Sequence, residues 1–430
     1  MTFFIRTFGC QMNQADSAGL AAVLAAAGHR PVSEPESAEL IIFNTCAVRD
    51  HAEERLFQNL AALRPRPGRP GPRVIGLVGC IPSLRGESLF NRFPHLSFLA
   101  GPEQLDQVAD LAARSAPGLR LAALGPGPAA LPAVRGGGSV SAFLPVIRGC
   151  DNFCSYCVVP YTRGREASRS ASELLEAAAG LAAGGVRELI LLGQNVNSYR
   201  DPAAGSGFPE LLAAMAGLDG LLRIGFLTSH PKDASEDLFR TMAEESRVYR
   251  HLHLPLQSGS DRILAAMNRR YTAAVFSEKV VAARLRVADL SVTSDLIVGF
   301  PGETESDFQA TLELLSAVRF DDLYAFKYSD RPGTRAQELG EKVAETVKAE
   351  RLARVWALQD AISRAANRER LGSEAEVLFL RRSGRKNGWL VGKTGREQTV
   401  LVEGGPELIG RLGRVRIVSA DRQLLYGRIA

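Results

Sequence analysis

The chain has 430 residues, of which 46% are hydrophobic and 23% charged, with a formal net charge of +5. That composition is ordinary for a folded protein and excludes a disordered or fibrous one, and the length allows two or three domains. No run of about 18 apolar residues is present, which excludes a helical membrane span, and the start of the chain lacks the basic lead and apolar core of a secretory signal. A cytoplasmic protein is expected, where cysteines serve as ligands, redox centres or core residues more often than as disulfides.

In chain order, residues 1–115 alternate strand and helix signals. Phe3–Phe8, Leu40–Phe43 and Val74–Val78 are apolar runs of strand length, and Asp16–Ala27 before Gly28 reads as a helix. This alternation predicts a doubly wound parallel α/β domain. Residues 116–139 are rich in Pro and Gly and read as a linker. From 140 to 370, strand-like runs end at Gly149, Gln194, Ser229, Gln257, Gly299 and Ser329, with helical segments between most of them. Six βα units predict a partial (β/α)6 barrel whose site lies at the carboxyl ends of the strands. Ser170/Glu173 and Thr304/Asp307 look like capping boxes. A long helix over 342–370 leads to 371–430, where five short β runs predict a small antiparallel barrel. This last region holds eleven basic against six acidic side chains, an excess equal to that of the whole chain.

All six cysteines fall into two triplets. Cys150, Cys154 and Cys157 form Cys-x-x-x-Cys-x-x-Cys on one short loop after a strand. Three thiolates so spaced wrap one face of a 4Fe–4S cube and leave one iron open for a ligand, as cleavage of S-adenosylmethionine requires. The competing reading is zinc, which usually takes paired Cys-x-x-Cys units and four ligands. Cys10, Cys46 and Cys80 each end an apolar strand run. In an open parallel sheet such ends share a crevice, so three thiols can converge on a second cube with an open iron. The competing reading is three independent buried thiols.

The chain resembles the methylthiotransferases, a branch of the radical S-adenosylmethionine enzymes, over nearly its whole length. The resemblance rests on Thr7-Phe-Gly-Cys-Gln-Met-Asn13, Asn44-Thr-Cys46, Gly79-Cys80, the run from Gly149 to Glu166, Leu192-Gly-Gln-Asn-Val-Asn197 and Thr228-Ser-His-Pro231. It continues through His253–Ser260, Asp295–Glu305 and Tyr328–Thr334. One departure is Ala18 in Asp16-Ser-Ala18, where an acidic residue is usual. Gln11-Met-Asn13 favours the branch that modifies isopentenyl-adenosine beside the anticodon of tRNA. Branches acting on threonylcarbamoyl-adenosine or on a ribosomal-protein aspartate remain alternatives, as does a non-catalytic RNA-binding protein with structural zinc.

The resemblance implies two uses of S-adenosylmethionine. One molecule methylates a sulfur held at the Cys10/Cys46/Cys80 cluster. Another is cleaved at the Cys150/Cys154/Cys157 cluster to a radical that takes hydrogen from C2 of the adenine. It also implies an electron donor such as flavodoxin or ferredoxin, an RNA-binding (TRAM-like) C-terminal barrel and a monomer. Gly193, Gln194 and Asn195 are carried over as contacts of the methionyl amino group, against an ordinary polar turn. Ser229, Gln257 and Gly299 are candidates for the same pocket. His230, His251 and His253 read as structural histidines before a metal site, and Arg163 and Arg165 as anion contacts or surface salt bridges. Lys393 and Arg396, in the turn Gly392–Arg396, are the expected RNA contacts, against a merely solvated turn.

Overall fold

The computed structural model describes residues 1–47, 50–64, 74–125, 127 and 139–430. The first sheet contains β1 (Thr2–Phe8), β2 (Arg30–Pro31), β3 (Leu40–Thr45), β4 (Val74–Gly79), β5 (Phe98–Ala100) and β6 (Leu121–Ala123). All are parallel, in the order β2-β1-β3-β4-β5-β6. Successive residues of one strand face opposite layers. Leu40, Ile42, Val74 and Val78 pack with Leu20 and Leu24 of helix α1 (Gln11–Ala26) on one side. Ile41, Phe43, Ile75 and Leu77 pack with Leu56, Leu60 and Phe90 on the other. This is the doubly wound domain expected.

Two details differ. Strand β6 falls within the stretch read as a linker, because Leu121–Ala123 pairs with Phe98–Ala100 despite the Pro and Gly around it. The Gly136–Gly138 run, and with it half of the expected linker, lies outside the described residues. Helix α1 also begins five residues before Asp16, directly after Cys10. Its first turn, Gln11-Met-Asn13, carries no apolar period, and Met12 and Asn13 serve the site described below.

Strands β7 (Ser141–Pro145), β8 (Ile147–Arg148) and β9 (Ala167–Ser168) open the central region. β8 and β9 form a small antiparallel pair that closes the base of the loop between them. β10 (Glu188–Leu192), β11 (Arg223–Leu227), β12 (His251–His253), β13 (Ser291–Val298) and β14 (Asp322–Lys327) follow. They form two three-stranded parallel sheets, β7-β10-β11 and β12-β13-β14, and a parallel bridge between Ile224 and Val248 joins them into one curved wall. The result is the expected partial barrel of six parallel strands. Outward residues such as Leu189, Leu191, Phe226 and Leu296 pack under the surrounding helices. Inward Phe143, Ile190, Leu192, Leu227 and Tyr249 meet Met12 and Ala15 of α1. The first domain therefore fills part of the lumen with its own helix. Thr304 and Asp307 form a full capping box, whereas Ser170 only accepts from the Glu173 N–H.

Helix Glu345–Arg368 leads to a closed barrel of β15 (Glu374–Arg382), β16 (Trp389–Thr394), β17 (Thr399–Glu403), β18 (Leu412–Ala420) and β19 (Leu425–Ile429). Its core is Val377, Phe379, Leu390, Val400, Val402, Val415 and Ile417. It is not wholly antiparallel. β17 and β19 pair in parallel, since β18 runs back between them in sequence. Among the described residues, no helix is long and apolar enough to cross a membrane.

Candidate active site

The strand order places the first thiol triplet. The order reverses between β1 and β3, the switch point at which open α/β sheets bind ligands. Phe8 lies beside Thr45 and Thr45 beside Gly79, so Cys10, Cys46 and Cys80 emerge from three adjacent strands at one level. Two glycines permit the crowding. A Cβ on Gly9 (φ +149°) would lie 2.5 Å from Cys46 Cβ, and one on Gly79 (φ +97°) would lie 2.5 Å from the Thr45 carbonyl. Asn13 ties the loops together. Its Oδ1 accepts from the Cys10 N–H at 3.4 Å, and its Nδ2 donates to Asn44 Oδ1 and the Thr45 carbonyl, both at 3.1 Å. A hydrogen bond with Cys46 is the largest influence on the Cys10 thiol. With help from Arg163 and nearby N–H groups it outweighs burial and brings the thiol down to about 6.

The second triplet sits on the loop after β8. Each of its sulfurs has an N–H donor: Asn152 Nδ2 to Cys150 at 3.4 Å, Arg269 Nη1 to Cys154 at 3.4 Å, and the Val159 N–H to Cys157 at 3.5 Å. The loop is anchored from the far side of the barrel. Asn268 Nδ2 donates to the Asn152 and Phe153 carbonyls at 3.2 and 3.0 Å, and Ser155 binds the Ala266 and Met267 carbonyls. Burial pushes Cys150 up to about 11 and Cys157 up to about 12. Thiols so placed give up their protons only to a cation that takes the proton's place, and iron is such a cation. Three donors to three sulfurs are the outer hydrogen bonds that tune a thiolate-bound cluster.

Around this loop the strand ends carry polar atoms with nothing to bind. Gln194 Oε1, Asn195 Oδ1, both amide atoms of Asn197, Ser229 Oγ, His230 Nε2 and Gln257 Oε1 are buried and have no hydrogen-bond partner. Buried polar atoms are normally paired, so this concentration fits a polar ligand with amino, carboxylate and hydroxyl groups, as S-adenosylmethionine has. Among the described residues nine non-glycine positions have positive φ, and five of them (Phe153, Thr228, Gln257, Asn268 and Arg270) surround this rim. Such strain clusters at ligand sites.

Not every expected residue joins the pocket. Gly193 contributes closeness: a Cβ there would lie 2.4 Å from Ile147. The Gly299 N–H is taken by Glu303 at 2.6 Å, and Lys348 covers the space above it. His251 and His253 both bind Thr293 Oγ1 at 2.9 Å and are engaged by Glu397 and Asp295. Among the described residues, no three His, Cys, Asp or Glu close tightly enough to hold a single metal ion. A cube, with thiolates at separate corners, asks for a wider triangle. Arg165 makes the surface salt bridge, to Asp151 at 2.7 Å. Arg163 does not. It is buried, binds Asp16 at 2.8 Å, and donates from Nε to Cys80 Sγ at 3.3 Å. Asn268 and Arg269 were missed by sequence reasoning, because isolated polar residues in loops carry no periodic or spacing signal; Asn152 and Asn197 lie inside the quoted motifs but were given no role there.

Lys393 and Arg396 are not placed as the sequence suggested. Their turn is inserted at the amino-terminal ends of the barrel strands, opposite the cysteine loop. The Gly395 carbonyl accepts from the Arg250 N–H at 2.8 Å. Lys393 Nζ reaches Glu397 at 2.7 Å, Glu397 reaches His251 Nδ1 at 2.6 Å, and Arg396 pairs with Asp289 and Asp321. The apparent excess of charge in this turn is therefore spent on an internal seam. The exposed bases of the barrel are Arg381, Arg382, Arg385, Lys386, Arg411, Arg414, Arg416 and Arg428.

The chain matches the Radical SAM superfamily over residues 144–315, the Uncharacterized protein family UPF0004 over 2–101 and the TRAM domain over 368–430. A solved radical S-adenosylmethionine methyltransferase from Kitasatospora setae shares the fold. It is 14% identical, with a TM-score of 0.57 over 78% of this chain and 77% of that one. The tRNA-2-methylthio-N(6)-dimethylallyladenosine synthase of Chlorobium luteolum is 43% identical over 99% of this chain and 96% of its own. The protein of the same name from Trichlorobacter lovleyi is 41% identical over 99% and 98%. With such identity along its whole length, the chain belongs to the radical S-adenosylmethionine methylthiotransferase family, alongside the tRNA-2-methylthio-N(6)-dimethylallyladenosine synthases.

Proposed function

We propose that this enzyme adds a methylthio group to C2 of N6-isopentenyladenosine next to the anticodon of tRNA, using S-adenosylmethionine and two 4Fe–4S clusters. The observation that carries the reading is the meeting of two three-thiol sites through Arg163, beside a rim of unpaired polar atoms. Cys150, Cys154 and Cys157 would hold one cluster, and Cys10, Cys46 and Cys80 the other. When bound, the clusters supply the electron that cleaves S-adenosylmethionine and hold the sulfur to be transferred. Gln194, Asn195, Ser229 and Gln257 bind and orient the methionyl end. Asn268 and Arg269 fix the cysteine loop against the barrel. Met12 and Ala15 exclude water from one wall of the lumen. A flavodoxin- or ferredoxin-type donor supplies electrons, and the enzyme works as a cytoplasmic monomer.

Nucleoside mass spectrometry of tRNA from a deletion strain tests this. Isopentenyladenosine should accumulate and its methylthio derivative vanish. Loss of methylthio-threonylcarbamoyl-adenosine instead, or no change in any nucleoside, would overturn the substrate. Anaerobic reconstitution should give about eight irons per chain. Replacing Cys150, Cys154 and Cys157 by Ala should leave about four and abolish 5′-deoxyadenosine formation.

A further inference from the structure

A buried ion network joins the two cysteine sites. Arg148 and Arg163, each 4% exposed, both bind Asp16, which is 1% exposed. Arg148 and Arg163 flank the Cys150–Cys157 loop, whereas Asp16 lies on α1 behind Cys10. Charges this dry are costly unless fully compensated. Arg148 is further served by the Pro102 carbonyl at 2.8 Å and by the nearby half-buried Glu103. Among the described residues Arg163 pairs with the carboxylate of Asp16 alone, and it places Nε 3.3 Å from Cys80 Sγ. Its Nη1 is buried with no hydrogen-bond partner among the described residues.

The backbone of Arg163 belongs to the other site. Its N–H donates to the Val159 carbonyl at 2.8 Å, and the Gly164 carbonyl next to it accepts from the Cys150 N–H at 3.2 Å. Val158, beside Cys157, is buried in the first domain's core with Cys80 and Ile81. One side chain thus has its root in one thiol loop and its head in the other.

We propose that Arg163 is a positioning residue for the Cys10/Cys46/Cys80 site: it donates to Cys80, offers Nη1–H to a second anionic sulfur there, and fixes the spacing of the two thiol sites, with Asp16 locking its orientation. The proposal rests on the two-cluster reading above. A cationic donor at a thiolate favours the reduced, more negative state of the bound cluster, so it raises the reduction potential. A lysine cannot replace it, because it lacks the planar fork that serves Asp16 and Cys80 together.

The test uses the full chain with Cys150, Cys154 and Cys157 replaced by Ala, so that only the first-domain cluster is observed. Its midpoint potential is measured by anaerobic redox titration with electron paramagnetic resonance, with and without Arg163→Gln, Arg163→Lys or Asp16→Asn. The midpoint should become more negative with Arg163→Gln, and less so with Arg163→Lys and Asp16→Asn. An Arg163→Gln chain with wild-type circular dichroism but less than half the iron also supports the assignment. If that variant does not fold, Arg163→Lys is judged by the same criterion. Full iron loading with an unchanged midpoint overturns it. A chain with intact cysteines that takes up only about four irons would instead sink the two-cluster reading.

Discussion

At the scale of single residues, the site depends on atoms that side chains leave free and on space that glycines leave empty. Gly79 has both a left-handed φ and a backbone carbonyl where a Cβ would go. Gly79→Ala should therefore displace Cys80 and cost about half of the reconstituted iron, while 5′-deoxyadenosine formation at the other site persists. Full iron uptake would show that the first site tolerates the shift. His230 offers a pH test. Burial, with Arg269 and Lys232 adding, holds its imidazole down to about 2, so it stays neutral in the folded chain. The unfolded chain protonates it near pH 6.5, and below that the unfolded state binds more protons. Stability should fall as pH drops from 6.5, by about 2 kcal/mol at pH 5 from this group. His230→Asn should flatten that part of the stability curve in urea titrations. Equal slopes for both proteins would count against a neutral His230.

At the scale of elements, the turn between β16 and β17 is the feature whose sequence signal pointed the wrong way. Lys393 and Arg396 in a Gly-flanked turn look solvated, and nothing local announces Glu188, His251, Asp289 and Asp321, which come from distant stretches. Burial pushes the Glu397 carboxyl up, but Lys393 and His251 outweigh it and hold it well below the usual range. Removing one partner of a buried ion pair leaves the other charge under-compensated, which costs up to about 3–5 kcal/mol. Lys393→Ala should lower the unfolding free energy by that order and flatten the loss of stability on acidification below the unfolded carboxylate range, since Glu397 without its lysine is held less far below its unfolded pKa. A stability within about 0.5 kcal/mol of wild type would return the turn to the surface. By contrast, the strands, the thiol loops and the capping box at Thr304 were legible, because each rests on a local pattern: apolar runs, fixed Cys spacing, an Asp three residues after a Thr. Arg163 was read as an anion contact or a surface salt bridge, and the choice could not be made from the sequence, since its partner Asp16 is 147 positions away.

At the scale of the whole molecule, the proposed tRNA binding is predicted to rest on the bases that remain outside. Arg381, Arg382 and Arg385 are exposed at the end of β15 and in the turn after it. Replacing all three by Ala should weaken tRNA binding and flatten the slope of log affinity against log salt by roughly two to three phosphate contacts. An unchanged slope would move the interface to Arg411, Arg414 and Arg428. The inserted turn carries a consequence for engineering and for inheritance. A C-terminal barrel grafted from a relative would bring a plug cut for another socket, with a lysine, an arginine and a glutamate to be matched against Glu188, His251, Asp289 and Asp321. Chimeras joined at the helix 345–368 should therefore fold only when plug and socket travel together.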